Sequence, residues 1–197
     1  MEAFIVGCGG HAKSVIELAE SRNIRIIGLI GRKTEIGKKI LGYDVIGTDN
    51  ELKTFKKDCK NLIIGIGKIG GDNLRNKIIS KLKREKGVYF PKLISPYAKV
   101  SKHAKISEGS TVFHNVVVNA GAFVGKFCIL NTSSIIEHDS YIDDFCHIST
   151  GAIINGNTKL GENCFVGSGS IIREGLVIDS NAIISAGKRV MGYPLRS

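Results

Sequence analysis

Asn131-Thr132-Ser133-Ser134-Ile135-Ile136-Glu137-His138-Asp139-Ser140-Tyr141-Ile142-Asp143-Asp144-Phe145-Cys146-His147-Ile148 carries an aliphatic residue at every sixth position: Ile136, Ile142 and Ile148. The spacing extends in both directions. It runs from Val100 through Ile106, Val112, Val118, Val124 and Leu130, then on through Ile154, Leu160, Val166, Ile172, Ile178 and Ile184 to Val190, without a miss. Ile, Leu and Val make up 54 of the 197 residues. At that frequency an unbroken series of this length has a chance probability on the order of one in a billion. The residue four places after each aliphatic is mostly small, as at Ala104, Ser110, Ala122, Cys128, Ser134, Ser140, Cys146, Ala152, Thr158, Cys164, Ser170 and Ala182. Val116, Leu176 and Lys188 are the exceptions. A period of six matches neither an α-helix nor a hairpin meander. It predicts a coil of short strands, each hexapeptide forming one flat side, with the small residue letting the chain turn inward at the corner.

This pattern resembles the hexapeptide-repeat acyltransferases. The resemblance implies a left-handed parallel β-helix of triangular section, with 18 residues to a coil and five coils over 100–190. Adjacent coils are then one strand spacing apart, about 4.8 Å. Cys128, Cys146 and Cys164 fall one coil apart and stack in an inward column between Ser110 and Ala182. That column reads as small buried filler rather than as reactive thiols. Five cysteines, an odd count with no C-x-x-C pair, argue against a disulfide framework and a zinc site, so no metal is expected.

Residues 1–95 read differently. Ala3–Val6 predicts a strand, Gly7-Cys8-Gly9-Gly10-His11 a loop and Ala12–Arg22 a helix. Strands follow at Arg25–Ile30, Asp44–Ile46 and Leu62–Ile66, the last ending at Gly67. Helices are expected over Glu51–Lys57 and Asn73–Lys86, the latter with Leu74, Ile78, Ile79 and Leu82 apolar, and a final strand over Val88–Ile94. This alternation predicts an α/β domain, a small Rossmann-like parallel sheet, over 1–95, followed by the β-helix over 96–197. The two halves also differ in charge. The chain carries +10 in all, of which residues 1–95 hold +9 and the remainder +1. A small anionic ligand of the first domain accounts for that asymmetry, as does a solvated basic face. The glycine loop at a strand–helix junction suits a phosphate, because free N–H groups and the positive end of the dipole converge there. A plain tight turn is the competing reading, since the loop is neither G-x-G-x-x-G nor a Walker motif.

Gly7 through Val15, followed by hexapeptides and by Asn131–Asp139, is similar to the sialic acid O-acetyltransferase type of sugar O/N-acyltransferase, and within it to bacterial UDP-4-amino-sugar and GDP-perosamine N-acetyltransferases. The resemblance spans essentially the whole chain. It implies a homotrimer, a nucleotide-sugar held by the first domain, and acetyl-CoA in the cleft between neighbouring β-helices. It makes His138 the general base and Asp139 the residue that tunes it. It places acetyl-CoA contacts at His147, Ser168 and Ala186, and nucleotide-sugar contacts at Gly9, Gly10, His11 and Gly67; Lys13 adds positive charge beside the loop. The chain departs from the pattern at the end of the second strand, where relatives carry an acid for ribose. Here Ile30-Gly31-Arg32-Lys33 has none, and Arg32 or Lys33 is expected to meet the diphosphate instead.

Acetyl transfer to an amine needs a base that titrates near neutrality, and histidine does. The coil neighbours of His138 are Ala120 and Gly156, small enough to leave the imidazole room, and His147 lies half a coil round, on a different face. The remaining histidines, His103 and His114, read as surface residues. The expected activity is acetyl transfer from acetyl-CoA to the amino group of a nucleotide-linked deoxysugar. O-acetylation of sialic acid or another glycan sugar is the alternative reaction, and a non-enzymatic solenoid binding polyanions the alternative of another class. The near-neutral β-helix disfavours nucleic acid as a partner. No apolar run has the length of a membrane span, and Met1–Val6 lacks the basic flank of a signal peptide, so a cytoplasmic location is expected.

Overall fold

Ala3, Phe4, Ile5 and Val6 are consecutive and apolar, so the strand they form must be covered on both faces. In the computed structural model, which describes residues 1–55, 57, 59–70 and 73–192, Glu2–Val6 (β1) is an inner strand, paired in parallel with Arg25–Gly31 (β2) on one side and Leu62–Ile64 (β5) on the other. Tyr43–Thr48 (β4) continues the sheet in parallel beyond β2. The expected all-parallel sheet is corrected at its edge. Lys39–Ile40 (β3) folds back antiparallel on β4, giving the order β3-β4-β2-β1-β5. The turn between them is Leu41-Gly42, with φ values of 48° and 87°. Two left-handed residues are what a tight hairpin requires. Leu41 is an uncommon residue for that conformation, which is why no turn was legible there.

Gly10–Ser21 (α1) covers the sheet with Ala12, Val15, Ile16, Leu18 and Ala19 buried. The helix expected over 51–57 is Leu52–Phe55 (α2) after a 3-10 turn at Asp49–Glu51; position 56 lies outside the described residues. Leu74–Lys83 (α3) buries Ile79 and Leu82 as predicted but exposes Leu74. Its third large buried side chain is Arg75, whose Nε donates to the Ile66 carbonyl at 3.0 Å. The strand expected over Val88–Ile94 is broken. Tyr89 makes one parallel bridge to Asn61, and only Leu93–Ile94 (β6) is strand, because Pro91 has no N–H to give a ladder.

The chain divides into two compact units, the first closing at Leu93 and the second taking over at Ile94. In the second, a two-residue strand recurs every six residues from Lys99–Val100 to Arg189–Val190. Each pairs in parallel with the strand 18 residues away, as Val117–Val118 does with Lys99–Val100 and with Ile135–Ile136. Three stacks result. The first face runs from Lys99–Val100 to Arg189–Val190, the second from Lys105–Ile106 to Val177–Ile178, and the third from Leu93–Ile94 to Ile183–Ile184. The aliphatic series fills the interior, with Val112, Val124, Leu130, Ile136, Ile142, Ile148, Ile154, Val166 and Ile172 fully enclosed.

Two features of the corners went unread in the sequence. From Ile106 to Ile184 the residue three places after each aliphatic is left-handed; besides the glycines, Asn115, Phe127, Ser133, Asp139, Phe145, Asn157, Asn163 and Asn181 have φ between 54° and 64°. The small residue at the fourth place is also more than filler. At four corners a hydroxyl there donates to the carbonyl 15 residues on, Ser110 to Gly125 (2.7 Å), Ser140 to Asn155 (2.9 Å), Thr158 to Arg173 (3.0 Å) and Ser170 to Ser185 (2.8 Å), whereas Ser134 Oγ is enclosed without a partner and alanine stands at 104, 122, 152 and 182. The cysteines do the same. Cys128, Cys146 and Cys164 donate to Asp143, Gly161 and Asp179 at 3.1–3.2 Å. The hydrogen bond with Cys128, and then enclosure, outweigh the opposing effect of Cys164 and hold the Cys146 thiol protonated, its pKa far above the ordinary thiol value. The position therefore selects a small residue, and where it carries a donor Ser, Thr and Cys serve alike. Accordingly Cys146→Ser should unfold within about 1 kcal/mol of the parent in urea, whereas Cys146→Val, which leaves a buried carbonyl without its donor, should cost about 1–3 kcal/mol.

Candidate active site

His138 and Asp139 occupy the second and third places after Ile136, at the corner joining the first face to the second. In an extended strand their side chains would point to opposite faces. They do not, because Asp139 has φ 59° and Asp tolerates the left-handed conformation. The turn swings the carboxylate back to its neighbour, and His138 Nδ1 donates to Asp139 Oδ2 at 2.9 Å. With Nδ1 donating, the Nε2 lone pair is available as a base. Both side chains are about two-thirds exposed, so the imidazole is open to a substrate. On the same corner Glu137 accepts from Asn119 Nδ2 at 2.8 Å.

The other expected contacts are distributed around the triangle. His147 lies on the outer side of the third face, 6% exposed, its ring edge against Phe165 at a centroid distance of 5.2 Å. Ser168 and Ala186 occupy successive coils at the corner joining the third face to the first, both exposed. The Ser168 hydroxyl hydrogen-bonds with Ser149 Oγ at 2.9 Å. One chain therefore does not bring His138 together with Ser168 and Ala186. His103 is exposed, as expected. His114 is tied instead to the buried Ser95, whose hydroxyl meets its Nδ1 at 2.7 Å, and to the edge of Tyr97.

In the first unit the predicted substrate residues gather at the start of α1. Gly7 has φ 121°, and a Cβ there would press on Gly65 at 2.9 Å, so this turn requires glycine. Gly9 caps the helix and Gly10 begins it; both are exposed, with open space where a side chain would stand. His11 packs over Gly67, its Cβ 3.2 Å from where a Gly67 side chain would begin. Lys13 and Arg32 are exposed. The expectation that no acid stands at the end of β2 is corrected. Glu35 comes after a short turn and returns to it, Oε2 accepting the Arg32 N–H at 2.7 Å and packing against Gly31 beside Cys8. The signal was spatial, since a 3-10 turn at Lys33–Glu35 folds the carboxylate back.

Among the described residues no cluster of three His, Cys, Asp or Glu could hold a metal ion, and no helix is long and apolar enough to cross a membrane.

A family model for the PglD N-terminal domain matches residues 2–82, and one for the bacterial transferase hexapeptide (six repeats) matches residues 157–192. The acetyltransferase domain of PglB from Neisseria gonorrhoeae is 31% identical, the match covering 96% of this chain and 91% of that one, with a TM-score of 0.86. The chain belongs to the hexapeptide-repeat sugar acyltransferase family. The PglB domain is also known in complex with acetyl coenzyme A. A variant of perosamine N-acetyltransferase from Caulobacter crescentus, in complex with CoA and GDP-perosamine, is 29% identical over 97% of this chain and 89% of that one, with a TM-score of 0.89.

The Glu35 carboxylate leaves a measurable mark on its neighbour. Burial, and then Glu35, push the Cys8 thiol up to about 11. Iodoacetamide alkylation of native Cys8 should keep rising well past pH 9, and Glu35→Gln should shift that profile toward lower pH. An unchanged profile in the variant would show that the carboxylate is not beside the thiol.

Proposed function

We propose that the protein transfers acetyl from acetyl-CoA to the amino group of a nucleotide-linked deoxysugar. The observation that carries this is the His138–Asp139 pair, an exposed imidazole held through Nδ1, which leaves Nε2 as the basic nitrogen. The family and the CoA-bound relatives support the acyl donor and the acceptor class.

Acetyl-CoA, when bound, supplies an activated thioester. The acceptor amine must reach its carbonyl unprotonated. His138 Nε2 takes the proton that the amine sheds as the new C–N bond forms. Asp139 stabilises the imidazolium so produced. His138 then returns the proton to the departing thiolate as the C–S bond breaks, leaving the imidazole neutral for the next cycle.

The first unit is assigned to the nucleotide-sugar. Gly9 and Gly10 offer backbone N–H groups to the diphosphate, with His11, Gly67, Lys13 and Arg32 around them. Glu35 supplies the carboxylate for the ribose hydroxyls that the sequence seemed to lack. Ser168, Ala186 and His147 are assigned to acetyl-CoA.

A homotrimer completes the site. Val117, Ile135, Ile153 and Ile171 form an outward aliphatic column on the first face, each half-buried. That face lies between the His138 corner and the Ser168 corner. Copies packed through it bring one chain's base to the next chain's acetyl-CoA contacts. All five cysteines are free thiols, which suits a cytoplasmic enzyme.

His138→Ala should lower kcat/KM by about two orders of magnitude or more. The assignment is tested by thiol release from acetyl-CoA with a panel of amino-sugar and hydroxyl-sugar nucleotides, and by product mass. Release with hydroxyl acceptors alone would overturn N-acetylation in favour of O-acetylation. Salt-sensitive DNA binding with no thiol release would overturn the enzyme. Ile153→Glu should dissociate the trimer in sedimentation and abolish turnover together. Glu35→Ala should raise KM for the nucleotide-sugar about tenfold, the loss of one good charged hydrogen bond, and leave KM for acetyl-CoA unchanged.

A further inference from the structure

The position two places after each aliphatic residue forms the outer tip of a corner. From Lys102 to Gly192 it is occupied by Lys, Glu, His, Ala, Thr, Asp or Ser, and by glycine twice, at Gly156 and at the terminal Gly192, where φ is 74°. The corner itself does not ask for glycine there. Gly156 does not adopt the left-handed conformation, so its backbone would accept any residue. The reason for the glycine lies one coil below. A Cβ at Gly156 would stand 2.7 Å from both Cε1 and Nε2 of His138 and 3.2 Å from Cδ2. The imidazole rests where that side chain would be. Its lower coil neighbour is Ala120, so the ring leans away from a methyl and onto a bare backbone.

We infer that Gly156 is a positioning residue for His138. A side chain exposed to this degree would otherwise sample several rotamers. The Asp139 hydrogen bond holds the Nδ1 edge, and the vacancy at Gly156 admits the Nε2 edge. The two together leave a single orientation for the nitrogen that takes the proton. Asp139 is seated by a glycine too, since its Oδ1 lies where a Gly121 side chain would begin. Gly121 also has φ 76°, so its conformation alone calls for glycine, whereas at Gly156 the three atoms nearest to a side chain all belong to the imidazole. This inference rests on the reading of His138 as the general base.

Gly156→Ala tests it. A methyl there drives the ring about an ångström or more from its place, a displacement that commonly costs on the order of 100-fold in rate. We expect kcat to fall by that order, with Tm and KM for acetyl-CoA unchanged. In a His138→Asn background the same substitution should alter the residual rate by less than about twofold, because its effect runs through the imidazole. Wild-type kcat in Gly156→Ala overturns the inference. So does an equal loss in the His138→Asn background, which would mean the methyl acts on something other than His138. Full activity in His138→Asn alone overturns instead the assignment of the base.

Discussion

A chain that must turn a corner three times in every 18 residues has little freedom at each one, and the β-helix depends on how that corner is closed. One residue turns left-handed, and the next sends a small side chain inward, at seven corners a hydroxyl or thiol that donates to a carbonyl of the following coil. The donor matters because the corner interrupts the ladder of backbone bonds, and an enclosed carbonyl without a partner is costly. The aliphatic residues fill the interior, but the corner donors tie successive coils together between the faces. Ser140 and Cys146, two corners of the same coil, do the same work with different atoms.

The proposed chemistry grows from that corner rule. Asp139 is left-handed as the same place is at every corner from Gly109 to Gly187, and the same rotation sets its carboxylate against its own neighbour. The bond within the dyad is thus made by the corner itself, and the glycines of the coils above and below leave it the room. A structural necessity of the solenoid has been given a side chain that makes it useful.

The repeat made the β-helix legible in outline because a period of six has few physical interpretations. His138 was legible through its motif, and the room beside it through Ala120 and Gly156. Other features depended on contacts that linear spacing does not carry. The Asp139–His138 bond is not carried by linear spacing, because strand alternation, which sends neighbouring side chains apart, does not hold in a turn. Glu35 was missed because it is off the end of β2 in sequence and back at it in space. Lys39–Ile40 escaped notice because its hairpin turns on Leu41, a residue that signals no turn. Arg75 stood in for an apolar helix residue by burying its stem and giving its Nε to a loop carbonyl.

The 18-residue register also makes length a quantised variable. The coil that bears His138 is stacked between complete coils on both sides. A coil gained or lost whole at the far end would leave every vertical column in place and the His138 corner undisturbed. One residue inserted within a coil would instead rotate all later aliphatics out of the interior and put the wrong residue at every later corner. Descendants of this chain are thus free to grow in steps of a full turn, and closed to the single-residue changes that ordinary surface loops absorb.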